Sequence, residues 1–383
     1  MRRIYMDANA TTPVLPEVLA AMEPHWSARF GNASAVHAFG RDARDAVDSA
    51  REEVAALIGG AASEITFTSG GTESDNLALA GVLQAGDHLV VSAIEHDAVL
   101  RAADAMEAQG VAVTRVVCDA DGLVQPEAIA EAMRAETKLV SVMLANNETG
   151  AVQPLAKIGK IAHKGGALLH TDAVQACGKL PVHVDYLRCD LLSLSGHKMH
   201  APQGVGALWV RKGVSLRPML HGGTQERRRR AGTENVPGIV GLGAAAALSR
   251  TYVTDALLRL RDRLQDGLLQ IDSAVVNSGS VDRLPNTLSI AFAGVNAEEL
   301  VIALDLQGLA ISGGSACQSG AIEPSHVLRA MGLDDAAAHS SVRFSLSRLN
   351  TVDEVDAAVA LTVAAVARLR HFVPFSTRDA RGL

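Results

Sequence analysis

A lysine becomes a nucleophile once desolvation strips its proton, so a lysine just past a buried strand is a natural seat for carbonyl chemistry. Lys198 stands in such a place. The run Asp190-Leu191-Leu192-Ser193-Leu194-Ser195-Gly196-His197-Lys198 reads as an apolar strand ending in small polar residues, and a Gly-rich stretch through Gly206 follows. Such a lysine can form a Schiff base, and pyridoxal phosphate is the carbonyl cofactor that most often uses one. This cofactor needs two further partners, an acid for its pyridine nitrogen and a cradle for its phosphate. Asp172 closes the short apolar run Ala167-Leu168-Leu169-His170-Thr171-Asp172. In an open parallel sheet, ligands bind outside the carboxyl ends of the strands, where Asp172 is expected. Taken alone, Asp172 reads as a helix N-cap or turn residue; beside Lys198, the pyridine partner is the better reading. Ser69-Gly70-Gly71-Thr72 follows the strand-like Glu64-Ile65-Thr66-Phe67-Thr68 and precedes an apolar helical run. A strand, a glycine turn and a helix start aim backbone N–H groups at one point, and the helix dipole favours an anion there. An ordinary loop capped by Thr72 would look the same, so Lys198 and Asp172 give this segment its weight.

Cys317 lies in Ser312-Gly313-Gly314-Ser315-Ala316-Cys317-Gln318-Ser319-Gly320, whose small and polar residues predict an exposed loop. An unpaired thiol there is a poor structural choice and a good nucleophile. Cys118, Cys177 and Cys189 sit beside strand-like apolar segments and read as small buried hydrophobes.

The elements that must hold these groups follow from periodicity. From about Ile65 to Val210, strand-like runs such as residues 88–92, 138–144 and 167–170 alternate with helical ones such as residues 127–134 and 155–164. This alternation predicts an α/β domain with a mostly parallel sheet. Residues 244–269 read as one long helix linking two domains. Short strands (287–292) and helices (297–306) follow, and a terminal helix is expected over 352–369, opened by Asp353 and Glu354. The division expected is 16–250 for a large domain, with 1–15 and 251–383 forming a small α/β domain that carries the Cys317 loop.

A length of 383 residues suits two domains sharing a large core. Hydrophobic residues make up 48% but aromatic ones only 3%, so the core must be built from Ala, Val, Leu and Ile. A net charge of −7 argues against a general nucleic-acid binder. The run Arg227-Arg228-Arg229-Arg230 is flanked by Glu226 and Glu234 and suits an anion site or a subunit contact better than nucleic acid. Residues 236–248 are too short and glycine-broken to span a membrane. Few apolar residues separate Arg2 and Arg3 from Asp7, so no signal peptide is expected. Four cysteines without paired spacing predict reduced thiols and a cytoplasmic protein. His197 and His200 are followed by a glycine-rich turn, and no metal site is expected.

Taken in order, the motifs resemble one family. Asp7-Ala8-Asn9-Ala10-Thr11-Thr12-Pro13, Phe30-Gly31-Asn32, Thr68-Ser69-Gly70-Gly71-Thr72-Glu73-Ser74-Asp75-Asn76 and Glu95-His96 open the series. Asn146-Asn147-Glu148-Thr149-Gly150, His170-Thr171-Asp172-Ala173-Val174-Gln175 and Ser195-Gly196-His197-Lys198 continue it. Arg230-Ala231-Gly232-Thr233-Glu234-Asn235, Gly314-Ser315-Ala316-Cys317 and Val342-Arg343-Phe344-Ser345 complete it. The chain resembles the cysteine desulfurases of the NifS/IscS group, pyridoxal-phosphate enzymes of transferase fold type I, and its motifs look nearest to NifS. The resemblance implies conversion of L-cysteine to L-alanine, with the sulfur left as a persulfide on Cys317 and passed to a sulfur-acceptor or iron–sulfur scaffold protein. Nitrogenase supply is one destination it suggests. It implies Lys198 as Schiff-base lysine and general base and acid, and His96 as a ring stacked on the cofactor that also handles protons. Without the motif, His96 reads as a hydrogen-bonded strand-end histidine. The resemblance further implies Gln175 at the phenolic oxygen and Asn147 at cofactor and substrate. Gly71, Thr72, Ser195 and His197 would hold the phosphate, and Arg343 would clamp the substrate carboxylate. Thr233 would reach the phosphate of the partner subunit in a homodimer. Gln318 and Ala33 depart from the family pattern, Gln318 where it bears on the loop. The alternatives are a selenocysteine lyase, an aminotransferase, which would not need Cys317, and a non-catalytic scaffold.

Overall fold

A computed structural model describes residues 3–313 and 324–372. Its strands are β1 (Ile4–Tyr5), β2 (Ile65–Thr68), β3 (His88–Ser92), β4 (Ala112–Val116), β5 (Thr137–Ser141), β6 (Leu168–Asp172), β7 (Leu191–Ser195) and β8 (Gly206–Val210). Further along come β9 (Ala274–Val276), β10 (Thr287–Phe292), β11 (Leu309–Ala310), β12 (Ser312–Gly313) and β13 (Ser341–Ser345). The main sheet has the order β2-β8-β7-β6-β5-β3-β4. β8 runs antiparallel to both of its neighbours, and the remaining neighbouring pairs are parallel.

Strands covered on both faces need apolar residues on both. Here successive residues feed opposite cores, as the period of two requires. Leu89, Val91, Leu139 and Leu191 face Leu77, Leu79 and Val99 of the helices Gly71–Val82 and Asp97–Ala108. Val90, Val140, Leu169 and Leu192 face the other layer with Val47, Val54, Ile239 and Leu242. In that layer the helix Ala38–Leu57 packs on the helix Val236–Thr251. Gly243 permits the approach, because a Cβ there would lie 2.6 Å from the Ala50 Cα. Small residues at such contacts explain how a chain so poor in aromatics builds a dense core.

The single helix expected over 244–269 is two helices, Val236–Thr251 and Asp255–Leu268, bent by 79°. Tyr252-Val253-Thr254 separates them; β-branched and aromatic residues lose χ1 freedom in a helix. Arg348, remote in sequence, stacks 3.9 Å above the Tyr252 ring and holds the break. Among the described residues no single helix is long and apolar enough to cross a membrane.

A second sheet, β12-β13-β10-β9, is antiparallel, and β1 pairs in parallel with β11. Phe292, Phe344, Leu288 and Leu300 form its core together with Ile4 and Met6. The first dozen residues divide between the two cores. The Ala8 and Asn9 amides donate to Ser345, but Thr12 bonds the His197 carbonyl and Leu15 joins the larger cluster. Leu284, Val327, Leu328 and Met331 also pack into the larger cluster, although they lie beyond residue 251.

Candidate active site

The carboxyl ends of β2, β3, β5, β6 and β7 point the same way and deliver residues to one cavity of about 410 Å³. After β2 the chain turns through Gly70 into the helix Gly71–Val82, whose first N–H groups lack intrahelical acceptors. A Cβ at Gly71 would sit 2.8 Å from Val174 Cγ2, so the cavity floor requires glycine there. Thr72 lines the cavity in the same turn. After β3, His96 caps the helix Asp97–Ala108, its Nδ1 accepting the Ala98 N–H at 3.1 Å. β5 leads to Asn147, β6 ends in Asp172 with Gln175 a turn beyond, and β7 ends in Ser195 before the short helical turn Gly196–Lys198.

Lys198 Nζ donates to the carbonyl oxygens of Asn9 at 2.6 Å and Ala10 at 2.7 Å. The N-terminal segment is laced around this turn, with the Thr12 amide on the His197 carbonyl and His197 Nδ1 3.1 Å from Thr11 Oγ1. Burial, with the Lys198 and Lys179 charges, pushes His197 down to about 4, so it is neutral near pH 7.

Asp172 is buried, and burial pushes its carboxyl up while the His96 charge, the Val174 N–H and the Lys198 charge pull it back. Its Oδ1 accepts the Val174 N–H at 2.8 Å. Behind it lies a buried acidic group. Burial and the Asp172 charge drive Asp75 well above the usual carboxylate range. Burial pushes Glu95 up to about 8, although Ser92 and the Met143 N–H donate to it. Two buried carboxyls near Asp172 that prefer to be neutral leave it as the carboxylate that a cationic ring nitrogen would hold ionised.

Arg343 enters from β13 and crosses between the two cores. Its Nη1 donates to the Asn147 carbonyl at 3.0 Å, and its Nη2 bonds Asp7 Oδ1 at 2.8 Å. Nε is buried without a partner. A guanidinium has five N–H donors, so these two bonds leave hydrogens to spare for a planar anion at the cavity wall that Arg343 lines.

Gly71, Thr72, His96, Asn147, Asp172, Gln175, Ser195, His197, Lys198 and Arg343 thus line one cavity. Thr233 is exposed and does not line it. Cys317 and Gln318 lie outside the described residues. Cys177 and Cys189 are buried and Cys118 half-buried; burial pushes their thiols up to about 12, 12 and 11. The arginine run is tied into the protein at two points. Arg230 pairs with Glu73 in the glycine turn at 2.9 Å, and Arg227 donates to the Ile65 carbonyl. Sequence reading gave no role to Asn9, Asp75, Glu148 or His326, which also line the cavity. Asn9, Asp75 and Glu148 stand inside motifs already singled out, which was their signal. His326 has none, and it reaches the site because its Nε2 lies 2.9 Å from the Glu95 carbonyl oxygen.

The fit of pyridoxal phosphate can be judged from these groups. A helix N-terminus with a glycine floor suits the phosphate, a buried carboxylate the ring nitrogen, and a lysine nitrogen at the wall the aldehyde. Arg343 at the cavity wall, with donors to spare, suits the carboxylate of an amino acid. Fold and site define a pyridoxal-phosphate enzyme with a mixed, mostly parallel α/β sheet. Residues 4–358 match the aminotransferase class-V model, and the chain belongs to that family. It is 45% identical to "Cysteine desulfurase IscS" of Methanosarcina thermophila over 100% of this chain and 96% of that one. The solved structure titled "NIFS-LIKE PROTEIN" superposes with a TM-score of 0.90 at 37% identity, covering 96% of this chain and 100% of its own. The structure titled "SspA in complex with cysteine" gives a TM-score of 0.81 at 38% identity, covering 90% and 98%.

Proposed function

We propose that this protein is a cysteine desulfurase that converts L-cysteine to L-alanine and leaves the sulfur as a persulfide on Cys317. The observation that carries the reading is the single cavity that joins Lys198, Asp172, the glycine turn and Arg343. Full-length likeness to cysteine desulfurases, one structure of the fold holding cysteine, supports the substrate.

Bound pyridoxal phosphate supplies an electron sink for the charge that develops at the substrate Cα. Gly71, Thr72, Ser195 and His197 would hold its phosphate, Asp172 its ring nitrogen, Gln175 its phenolic oxygen, and His96 its ring face. Arg343 and Asn147 orient the substrate carboxylate; the Arg343 fork is pre-set by Asp7 and the Asn147 carbonyl, so little entropy is lost on binding. Lys198 Nζ would move the Cα proton. The Cys317 thiolate attacks the substrate sulfur. A new S–S bond forms, the C–S bond breaks, and its electron pair returns to the three-carbon fragment, which takes up protons to become alanine. Burial pushes the other three thiols up and disfavours their thiolates, which supports Cys317 as the nucleophile.

The finer parts of the reading rest on the motifs. The chain acts as a cytoplasmic homodimer in which Thr233 reaches the partner's phosphate. It hands sulfur to an iron–sulfur scaffold, with nitrogenase supply favoured by the NifS-like motifs around Asn147 and Thr233.

The deciding experiment is Cys317→Ala. The variant should bind pyridoxal phosphate and respond spectrally to L-cysteine, yet carry no persulfide and release almost no sulfide. Mass spectrometry of the wild type after brief exposure to cysteine should find one extra sulfur on the Cys317 peptide. Extra sulfur on the Cys118, Cys177 or Cys189 peptide, or full activity in Cys317→Ala, would end this reading.

A further inference from the structure

Lys179 stands out among the buried charges because no motif or mechanistic step uses it. It follows the strand-end turn that carries Asp172 and Gln175, is 7% exposed, and makes no ion pair among the described residues. Its Nζ instead donates to two neutral amides, Gln175 Oε1 at 2.8 Å and Asn9 Oδ1 at 3.3 Å. A buried ammonium without a carboxylate is costly, and it raises the question of what the charge does.

An ammonium only donates, so the atoms facing it must be amide oxygens. Asparagine and glutamine orientations are ordinarily ambiguous, and this contact resolves both. With Oε1 held by Lys179, the Gln175 NH2 must face away; one hydrogen reaches the Asn9 carbonyl at 3.0 Å, and the other is left for the cavity that Gln175 lines. With Oδ1 held by Lys179 and by Asn286 Nδ2 at 3.0 Å, the Asn9 NH2 donates to Thr287 Oγ1 and to the Asn147 carbonyl. The Asn9 carbonyl that receives Gln175 also receives Lys198 Nζ at 2.6 Å. One ammonium therefore orients two side-chain amides, and that of Gln175 shares the Asn9 main-chain carbonyl with the Lys198 nitrogen.

We propose that Lys179 is a positioning residue of this site: it locks Gln175 with its NH2 toward the cavity, presenting a donor to an anionic phenolic oxygen, and in its ammonium form places a positive charge near the Lys198 nitrogen. The inference rests on the pyridoxal-phosphate reading of the cavity and adds a group to it. The titratable and charged groups around Lys179 are Lys198, Arg343, His197, His200 and the Cys177 thiol; its burial and the Lys198 and Arg343 cations push Lys179 down to about 7, and its own charge in turn opposes a proton on either histidine. Mutual repulsion of that kind is reciprocal, so Lys179 also opposes a proton on the Lys198 nitrogen.

The test is a pH titration of the visible absorbance of the holoenzyme, in the wild type, Lys179→Met, Lys179→Gln and Lys179→Arg, each with and without Gln175→Leu. Losing the cation and losing the donor to the phenolic oxygen both favour a proton on the Lys198 nitrogen. The midpoint should rise by about one pH unit in Lys179→Met and Lys179→Gln. Lys179→Arg keeps charge and donors and should hold the midpoint near the wild-type value. In the Gln175→Leu background the Lys179→Met shift should shrink to about half, because the amide route is gone. An unmoved or lowered midpoint overturns the proposal even if thermal stability falls, since that combination marks a purely structural lysine. An undiminished shift without Gln175 overturns it too. So does a shift in Lys179→Arg as large as in Lys179→Met, or loss of the cofactor by all three variants. Should Lys179→Met fail to fold, Lys179→Gln carries the same comparison. Borohydride reduction of the wild type separates the two levels. A pyridoxyl label on a lysine other than Lys198 overturns the site reading itself, whereas a label on Lys198 with an unmoved midpoint overturns only the role of Lys179.

Discussion

Arg343, proposed to hold the substrate carboxylate, is set in place by its neighbours. Its two fixed bonds, to Asp7 and to the Asn147 carbonyl, hold the guanidinium plane at the wall of the cavity. Arg343→Ala removes that donor set and strands Asp7 without its partner. Truncating one partner of a buried charged pair costs about 2–5 kcal/mol, so kcat/KM for L-cysteine should fall roughly 10²–10³-fold, with the cofactor spectrum retained. Arg343→Lys keeps the charge without the fork and should recover only part of the loss. Steady-state kinetics and absorbance of the two variants check this; unchanged kcat/KM in Arg343→Ala would remove the residue from substrate binding. At this scale the sequence was informative for residues with unusual chemistry in sharp motifs, such as Lys198 and Asp172. It was silent on Lys179, because a lysine's burial depends on what folds over it.

The helix Gly71–Val82 is the element to which the proposed function assigns the phosphate. Its first turn meets Val174 so closely that Gly71→Ala would place a methyl 2.8 Å from Val174 Cγ2 and force one of the two to move. The cradle N–H groups move with it. Affinity for pyridoxal phosphate, measured by titrating the apoenzyme, should weaken about tenfold, or about 1.4 kcal/mol, while the circular dichroism of the fold stays the same. An unchanged affinity would take the phosphate away from this turn. Elements with strong local periodicity were legible in advance: the helix Leu155–Lys164 and the strands β3 and β10 fall where alternation and amphipathic spacing put them. The break between Val236–Thr251 and Asp255–Leu268 was not, because the Arg348 contact that fixes it comes from far along the chain.

For the molecule as a whole, two consequences follow. His170 is fully buried between Ser141 Oγ and Ser193 Oγ, and burial pushes it down to about 3. The unfolded chain takes up a proton near pH 6.5 that the folded state refuses. Stability from this group is therefore complete above pH 6.5 and is lost as pH falls toward 3. Between pH 7 and pH 5, the wild type should lose about 2 kcal/mol more than His170→Gln in urea unfolding. Equal losses would show that His170 does not carry the acid sensitivity. The second consequence concerns assembly. If Thr233 serves the partner's phosphate, Lys198→Ala and Thr233→Asp, each impaired alone, should regain about a quarter of wild-type activity when mixed and re-associated, because half of the dimers are mixed and each holds one intact site. Recovery of no activity, or a fully active monomer, would contradict the shared site.

The sequence by itself determined the chemistry. The order of its motifs, the alternation of strand and helix, and the lysine, aspartate and glycine turn identified a pyridoxal-phosphate α/β enzyme, because those signals are local in the chain. Tertiary structure alone decided which distant residues complete the site. Asn9 reaches Lys198 across 189 positions, and Asp7 reaches Arg343 across 336. Lys179 becomes a buried cation only when the N-terminal segment closes over it. Such contacts depend on how two cores and a threading N-terminus meet, and no spacing along one stretch of chain encodes that meeting.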